Sequence, residues 1–104
     1  MKEVLKSDIF IKWLDKLKDV KGKLAISRRI EQLEAGRFGD HKLIVNSNGV
    51  YELRLFYGPA YRLYYKEFNN KIIVLLCGGD KDSQDRDKLR AVQIANDYEE
   101  EQNG

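Results

Sequence analysis

Tyr51-Glu52-Leu53-Arg54-Leu55-Phe56-Tyr57-Gly58-Pro59-Ala60-Tyr61-Arg62-Leu63-Tyr64-Tyr65-Lys66-Glu67 reads as two strands, Tyr51 to Tyr57 and Tyr61 to Glu67, joined at Gly58-Pro59-Ala60. Aromatic and aliphatic residues recur with a period of two, and the Gly-Pro pair is turn chemistry. With three residues in the loop, Tyr57 faces Tyr61, Phe56 faces Arg62, Arg54 faces Tyr64 and Glu52 faces Lys66. Opposite charges then meet at Glu52 and Lys66 while Leu55 meets Leu63, so pattern and register agree. Arg54, Arg62 and Tyr64 share one face in this register; a two-residue loop puts the two arginines on opposite faces.

Working outward, Ile72-Ile73-Val74-Leu75-Leu76 lacks polar alternation, as in an inner strand covered on both faces, and is expected at the centre of the sheet. If Asn69-Asn70 is a two-residue turn, Arg62 lies across from Cys77, four residues before Lys81. Leu43 to Val45 supplies a further strand, completing an antiparallel meander. Upstream, residues 3–6 form a short edge strand. Ser7 caps a helix to about Lys18, with Ile9, Phe10, Trp13, Leu14 and Leu17 at helical spacing. A second helix spans Val20 to Ala35, with Leu24, Ile26, Ile30 and Leu33 on one side, and Gly36 ends it. After Gly78-Gly79 a polar segment leads into a helix to about Tyr98 carrying Leu89, Val92, Ile94 and Ala95. The class is α+β: short N-terminal strand, two-helix hairpin, antiparallel meander, C-terminal helix.

A chain of 104 residues, 42% hydrophobic and 35% charged, supports one core, so residues 1–104 are read as a single domain whose acidic end, about 97–104, frays. No apolar run is long enough to span a membrane and the start lacks a signal-peptide core, so a cytoplasmic location with no membrane partner is expected. Lone Cys77 and lone His41 give neither a disulfide nor a zinc cluster; no metal or cofactor is called for. The formal charge is +2, but removing the four acids Asp97, Glu99, Glu100 and Glu101 leaves +6 on residues 1–96. Gathered on one face, that excess favours a polyanion; dispersed, it only aids solubility.

Guanidinium forks grip phosphate oxygens in pairs, and fixed cations stabilise charge developing on phosphorus. Arg54, Arg62 and Lys81, with Tyr57 and Tyr64 to orient a base, are therefore the candidate catalytic set; solvent-facing charges paired with Glu52 or Glu67 are the alternative. Lys21, Lys23, Arg28 and Arg29 on the helical hairpin make a solvated face or touch nucleic acid, and Lys42, Lys66, Arg28 and Arg29 are the candidate RNA contacts. His41 sits at a strand entry without the flanks of a nucleophile elbow, and Gly78-Gly79 lacks Walker A spacing.

Tyr51-Glu52-Leu53-Arg54-Leu55, Tyr57-Gly58-Pro59-Ala60-Tyr61-Arg62-Leu63-Tyr64-Tyr65 and Leu75-Leu76-Cys77-Gly78-Gly79-Asp80-Lys81-Asp82-Ser83-Gln84-Asp85 resemble the HigB-like branch, the phage-derived addiction module killer proteins, of the RelE/ParE toxin superfamily. This resemblance implies a RelE-like fold with a basic cleft on the sheet. It also implies a type II toxin-antitoxin toxin that cuts mRNA, commonly on the ribosome, by metal-independent attack of the ribose 2'-hydroxyl. The implied partners are mRNA, the ribosome and a helix-turn-helix, HigA-like antitoxin, with operator DNA reached only through the antitoxin. By the resemblance, Arg62 matches the phosphate-stabilising arginine, Lys81 the basic position after the last strand, and Arg54 a basic position on the preceding strand. Relatives with a late histidine or aspartate have no histidine counterpart here, which leaves the acid-base pair open. The same superfamily includes the ParE branch, which poisons DNA gyrase without cutting RNA; an inactive, antitoxin-binding regulatory partner is a third reading.

Overall fold

The chain opens, in the computed structural model, which describes residues 2–103, with a strand that passes directly into a helix. Strand β1 (Glu3–Lys6) ends at Ser7, whose hydroxyl accepts from the Phe10 amide at 3.0 Å and donates to the Leu76 carbonyl at 2.6 Å. One side chain thus caps α1 (Asp8–Lys16) and pins it to the sheet. Asp19 caps α2 (Val20–Glu34), accepting from the Gly22 amide at 2.9 Å, and its other oxygen accepts from the Tyr61 hydroxyl at 2.9 Å. These bonds hold the Asp19 carboxyl below its ordinary range, the Gly22 amide first and Tyr61 second. Gly36, at φ +80°, ends α2 as expected. Leu24 departs from its expected place: it is 52% exposed, because two residues from buried Ile26 is about 200° around the helix.

Strands β2 (His41–Leu43), β3 (Val50–Arg54), β4 (Arg62–Phe68) and β5 (Ile72–Gly79) form the antiparallel meander, and β1 adds in parallel beyond β5. The order is β1-β5-β4-β3-β2, so β5 is an inner strand but β4 occupies the centre. The α1/α2 layer covers one face over Phe10, Ile26, Leu33, Leu53, Leu63, Tyr65 and Leu75. Helix α3 (Gln84–Asn103) covers the other over Val50, Tyr64, Val74, Leu76 and Cys77. Buried Ala91 and Ala95 let it lie close, while Leu89, expected on its apolar side, is 77% exposed. The helix continues through the acidic segment expected to fray, and Glu99 accepts from Lys66 Nζ at 3.1 Å.

The hairpin register differs from expectation by two residues. Arg54 faces Arg62, Glu52 faces Tyr64 and Val50 faces Lys66. The Leu55 amide still donates to the Tyr61 carbonyl at 2.9 Å, and Ala60 closes the turn at φ +59°, so residues 56–60 form a five-residue loop. A shift of two preserves every side chain's face. Arg54, Arg62 and Tyr64 therefore remain together, whereas Glu52 and Lys66 are not a pair. Across the next hairpin Arg62 faces Gly79, not Cys77. Pairing resumes at Phe68 opposite Ile72, and a bulge leaves Leu76 unmatched between Leu75 and Cys77. Among the described residues, no helix is long and apolar enough to cross a membrane, and no group of three His, Cys, Asp or Glu side chains is placed to hold a metal ion.

Candidate functional site

Alternation along β3 and β4 puts Glu52, Arg54, Arg62, Tyr64 and Lys66 on the α3 face of the sheet. Arg54 and Arg62 stand directly opposite each other, a like-charge pair that is destabilising unless carboxylates or an anion offset it. Each arginine has its own carboxylate. Arg54 Nη2 donates to Asp40 Oδ1 at 3.1 Å, and Arg62 Nη1 donates to Glu52 Oε1 at 3.2 Å. In both, Nε is buried without a hydrogen-bond partner among the described residues. An orphaned buried donor is costly, and here two of them belong to arginines at paired positions on one face of the sheet, a combination suited to an oxyanion.

Glu52 is the hub. Only 3% exposed, it accepts from Arg62, from the Tyr64 hydroxyl at 3.0 Å and, at 2.9 and 3.1 Å, from Gln84 Nε2 at the start of α3. Gly79 brings α3 this close: a Cβ there would collide with the Asp87 carboxylate, which is hydrogen-bonded to the Ser83 hydroxyl. Gly78 makes room for Trp13 on the opposite face. The glycine pair is thus a packing device at the strand exit. Lys81 is exposed two residues beyond the Gly79 that faces Arg62, and its amide donates to the Pro59 carbonyl at 3.4 Å. That bond sets the β3–β4 loop beside the β5–α3 turn. Lys42, exposed on β2, and half-buried Lys88 on α3 flank a cleft of about 220 Å³ that Glu52 also lines.

Other expected site residues lie elsewhere or are engaged. Tyr64 is fully buried, and burial first, the Glu52 carboxylate second, push its hydroxyl's pKa upward. It can neither stack on a base nor serve as a ready proton acceptor. Lys66 is 7% exposed and bound to Glu99, so it is a tether for α3 and not an open RNA contact. Arg29 donates to the carbonyls of Arg54, Phe38 and Asp40 at 2.9, 3.1 and 3.0 Å, fixing the chain under Arg54. Arg28 and Tyr57 border a groove of about 280 Å³ between α2 and the β3–β4 loop, together with Arg29, Leu55 and Phe56. His41 lies on edge strand β2, its ring edge-on to Phe38 and Tyr51 at 5.3 and 5.2 Å. Burial, with Asp87 second, pushes the Cys77 thiol up to about 12, so it is no nucleophile at neutral pH.

Glu52 was visible in the sequence through its alternation with Arg54, but a pairing off by two assigned it to Lys66. No local signal pointed to Gln84 or Asp40, which arrive by tertiary packing.

The chain is 44% identical over 86 residues to an uncharacterized protein of Haemophilus influenzae (strain ATCC 51907 / DSM 11121 / KW20 / Rd), covering 83% of this chain and 85% of that protein. It belongs to that protein's family. No family model matches the chain. Among solved structures, a double arginine-to-alanine mutant of the Escherichia coli toxin RelE in the free state matches with a TM-score of 0.60 at 18% identity. The match covers 84% of this chain and 92% of the RelE chain. The fold is therefore RelE-like.

Proposed function

We propose that the chain is a HigB-like toxin of a type II toxin-antitoxin pair that cuts mRNA on the ribosome. The observation that carries this reading is the direct pairing of Arg54 with Arg62 on one face, each with a buried, unpartnered Nε. Arg62 and Arg54 grip the scissile phosphate, exposed Lys81 adds charge from the strand exit, and Lys42 extends the path for RNA. The ribose 2'-oxygen bonds to phosphorus as the phosphorus–5'-oxygen bond breaks, leaving a 2',3'-cyclic phosphate and a 5'-hydroxyl. The 2'-hydroxyl proton leaves and the 5'-oxygen gains one. Positioning and electrostatics supply the rate, and the step needs no metal. With Tyr64 buried, the remaining expected tyrosine that can stack on a base is the 37% exposed Tyr57, on the α2 side of the β3–β4 loop and so only for a nucleotide flanking the site, and the acid-base pair draws on Lys81 or groups the RNA or ribosome brings. The chain acts in the cytoplasm and is silenced by a helix-turn-helix, HigA-like antitoxin, through which alone it reaches operator DNA.

A second reading, a ParE-like or purely antitoxin-binding protein without nuclease activity, is favoured by a different observation. Phe56 is 85% exposed beside the groove that Arg28 and Tyr57 line, a surface suited to a protein partner. Primer extension on cellular mRNA after brief induction, with and without translation inhibitors, separates the two. New, inhibitor-sensitive 5' ends support cleavage; growth arrest with intact transcripts and altered DNA supercoiling overturns it in favour of the gyrase reading.

A further inference from the structure

We infer that Glu52 is a positioning residue that holds the Arg62 guanidinium by one end, so that its other edge is kept unpaired for a phosphate. An arginine has two usable edges, and the side-on fork made by Nε and Nη2 matches two oxygens of a phosphate. Glu52 takes only Nη1, at 3.2 Å; among the described residues no hydrogen bond reaches Nε, which is buried. The carboxylate itself cannot turn away. Tyr64 holds Oε2 at 3.0 Å, and Gln84 Nε2 reaches both oxygens at 2.9 and 3.1 Å. A fixed carboxylate thus removes the rotamer freedom that Arg62 would otherwise lose on binding.

Arg54 on the paired strand differs: Asp40 takes its Nη2, one arm of the side-on fork, so only its Nε is left unpartnered there, and that pair is more than a third exposed at the arginine. The Arg62–Glu52 pair, with side chains 11% and 4% exposed, is the rigid half of the site. Because Gln84 opens α3, the setting of Arg62 also depends on where the first turn of α3 sits.

The catalytic consequence rests on the nuclease reading above; the binding consequence does not. The test therefore has two arms on the full-length protein. In the first, inorganic phosphate is titrated while the Arg62 Nε–H resonance is followed by NMR. It should move in wild type, with affinity about tenfold weaker in Glu52→Gln, the scale of one side chain left unordered. Glu52→Asp, one methylene short, should lie between them. A resonance that stays put in wild type, or moves equally in Glu52→Gln, overturns the inference.

In the second arm, cleavage of ribosome-bound mRNA should show kcat down roughly 10²-fold in Glu52→Gln with KM little changed, since displaced charge affects the transition state most. Equal kcat in Glu52→Gln and wild type overturns positioning while leaving cleavage standing. Phosphate binding without any cleavage by wild type sinks the nuclease reading and leaves Glu52's role intact. Should Glu52→Gln fail to fold, Gln84→Ala, at a half-buried position, replaces it in both arms: weaker phosphate binding supports the inference and unchanged binding overturns it.

Discussion

Arg62 is both part of the fold and the centre of the proposed chemistry, so deleting it confuses the two roles. Arg62→Met strands buried Glu52 without its cation and should cost about 3 kcal/mol in urea unfolding. Adding Glu52→Gln should recover at least half of that loss; no recovery would mean that the ion pair is not the source of the cost. Arg54→Ala, whose ion pair with Asp40 is far more exposed, should cost only about 0–1 kcal/mol. It is the cleaner probe of activity. At the loop end of the same hairpin, where the Tyr61 hydroxyl donates to it, the Asp19 carboxyl is depressed in the folded state, so its contribution to stability is present above its unfolded value near 3.8 and lost as pH falls through the lower folded value. Asp19→Ala should therefore lower the melting temperature at pH 7 and make a smaller difference at pH 3; an equal difference at both would contradict the assignment. The residue scale was only partly legible in sequence. Facing follows from alternation, so Arg54 and Arg62 could be placed together, but engagement depends on what tertiary packing delivers. Tyr64, Lys66 and Arg29 look as available in sequence as Lys81 does, and they are consumed by Glu52, Glu99 and three carbonyls.

Elements were legible where a local rule fixes them. Ser7 and Gly36 bound helices as capping residues should, and β5, an inner strand between β1 and β4, is apolar throughout because helices cover both its faces. Register escaped because it is set by a loop whose length the Gly-Pro pair does not reveal, and by a bulge at Leu76 that no residue type announces. The error was even in the hairpin, so the face assignment survived it. In sequence Gly78-Gly79 shows only that it lacks Walker A spacing, yet each glycine admits a large group on its own face: Trp13 on one, Asp87 on the other. Gly79→Ala should push the first turn of α3 off the sheet, destabilise the fold by about 1–3 kcal/mol, and raise hydrogen exchange in residues 84–90 first. Uniform exchange across the chain would mean that Gly79 does not govern the seating of α3.

At the scale of the whole molecule, the proposed RNA path runs from Lys42 past Arg54 and Arg62 to Lys81, and α3 carries the acidic segment at its far end. Local pattern sufficed for the α+β class and the order of elements, since each layer carries its own periodicity, while the position of α3 over the site had no local signature. If this path binds single-stranded RNA, log affinity should fall linearly with log salt, and Lys81→Ala should flatten that slope by about 0.7. An unchanged slope would remove Lys81 from the path. The central claim is that Arg54 and Arg62 act on one phosphate. It is tested most directly by the single-turnover rate at which the purified chain cuts an mRNA held in a stalled translation complex, wild type against Arg54→Ala. Loss of the facing cation should lower that rate roughly 10²-fold with the melting temperature nearly unchanged; an unaltered rate in the folded variant, or no cut by wild type, would contradict it.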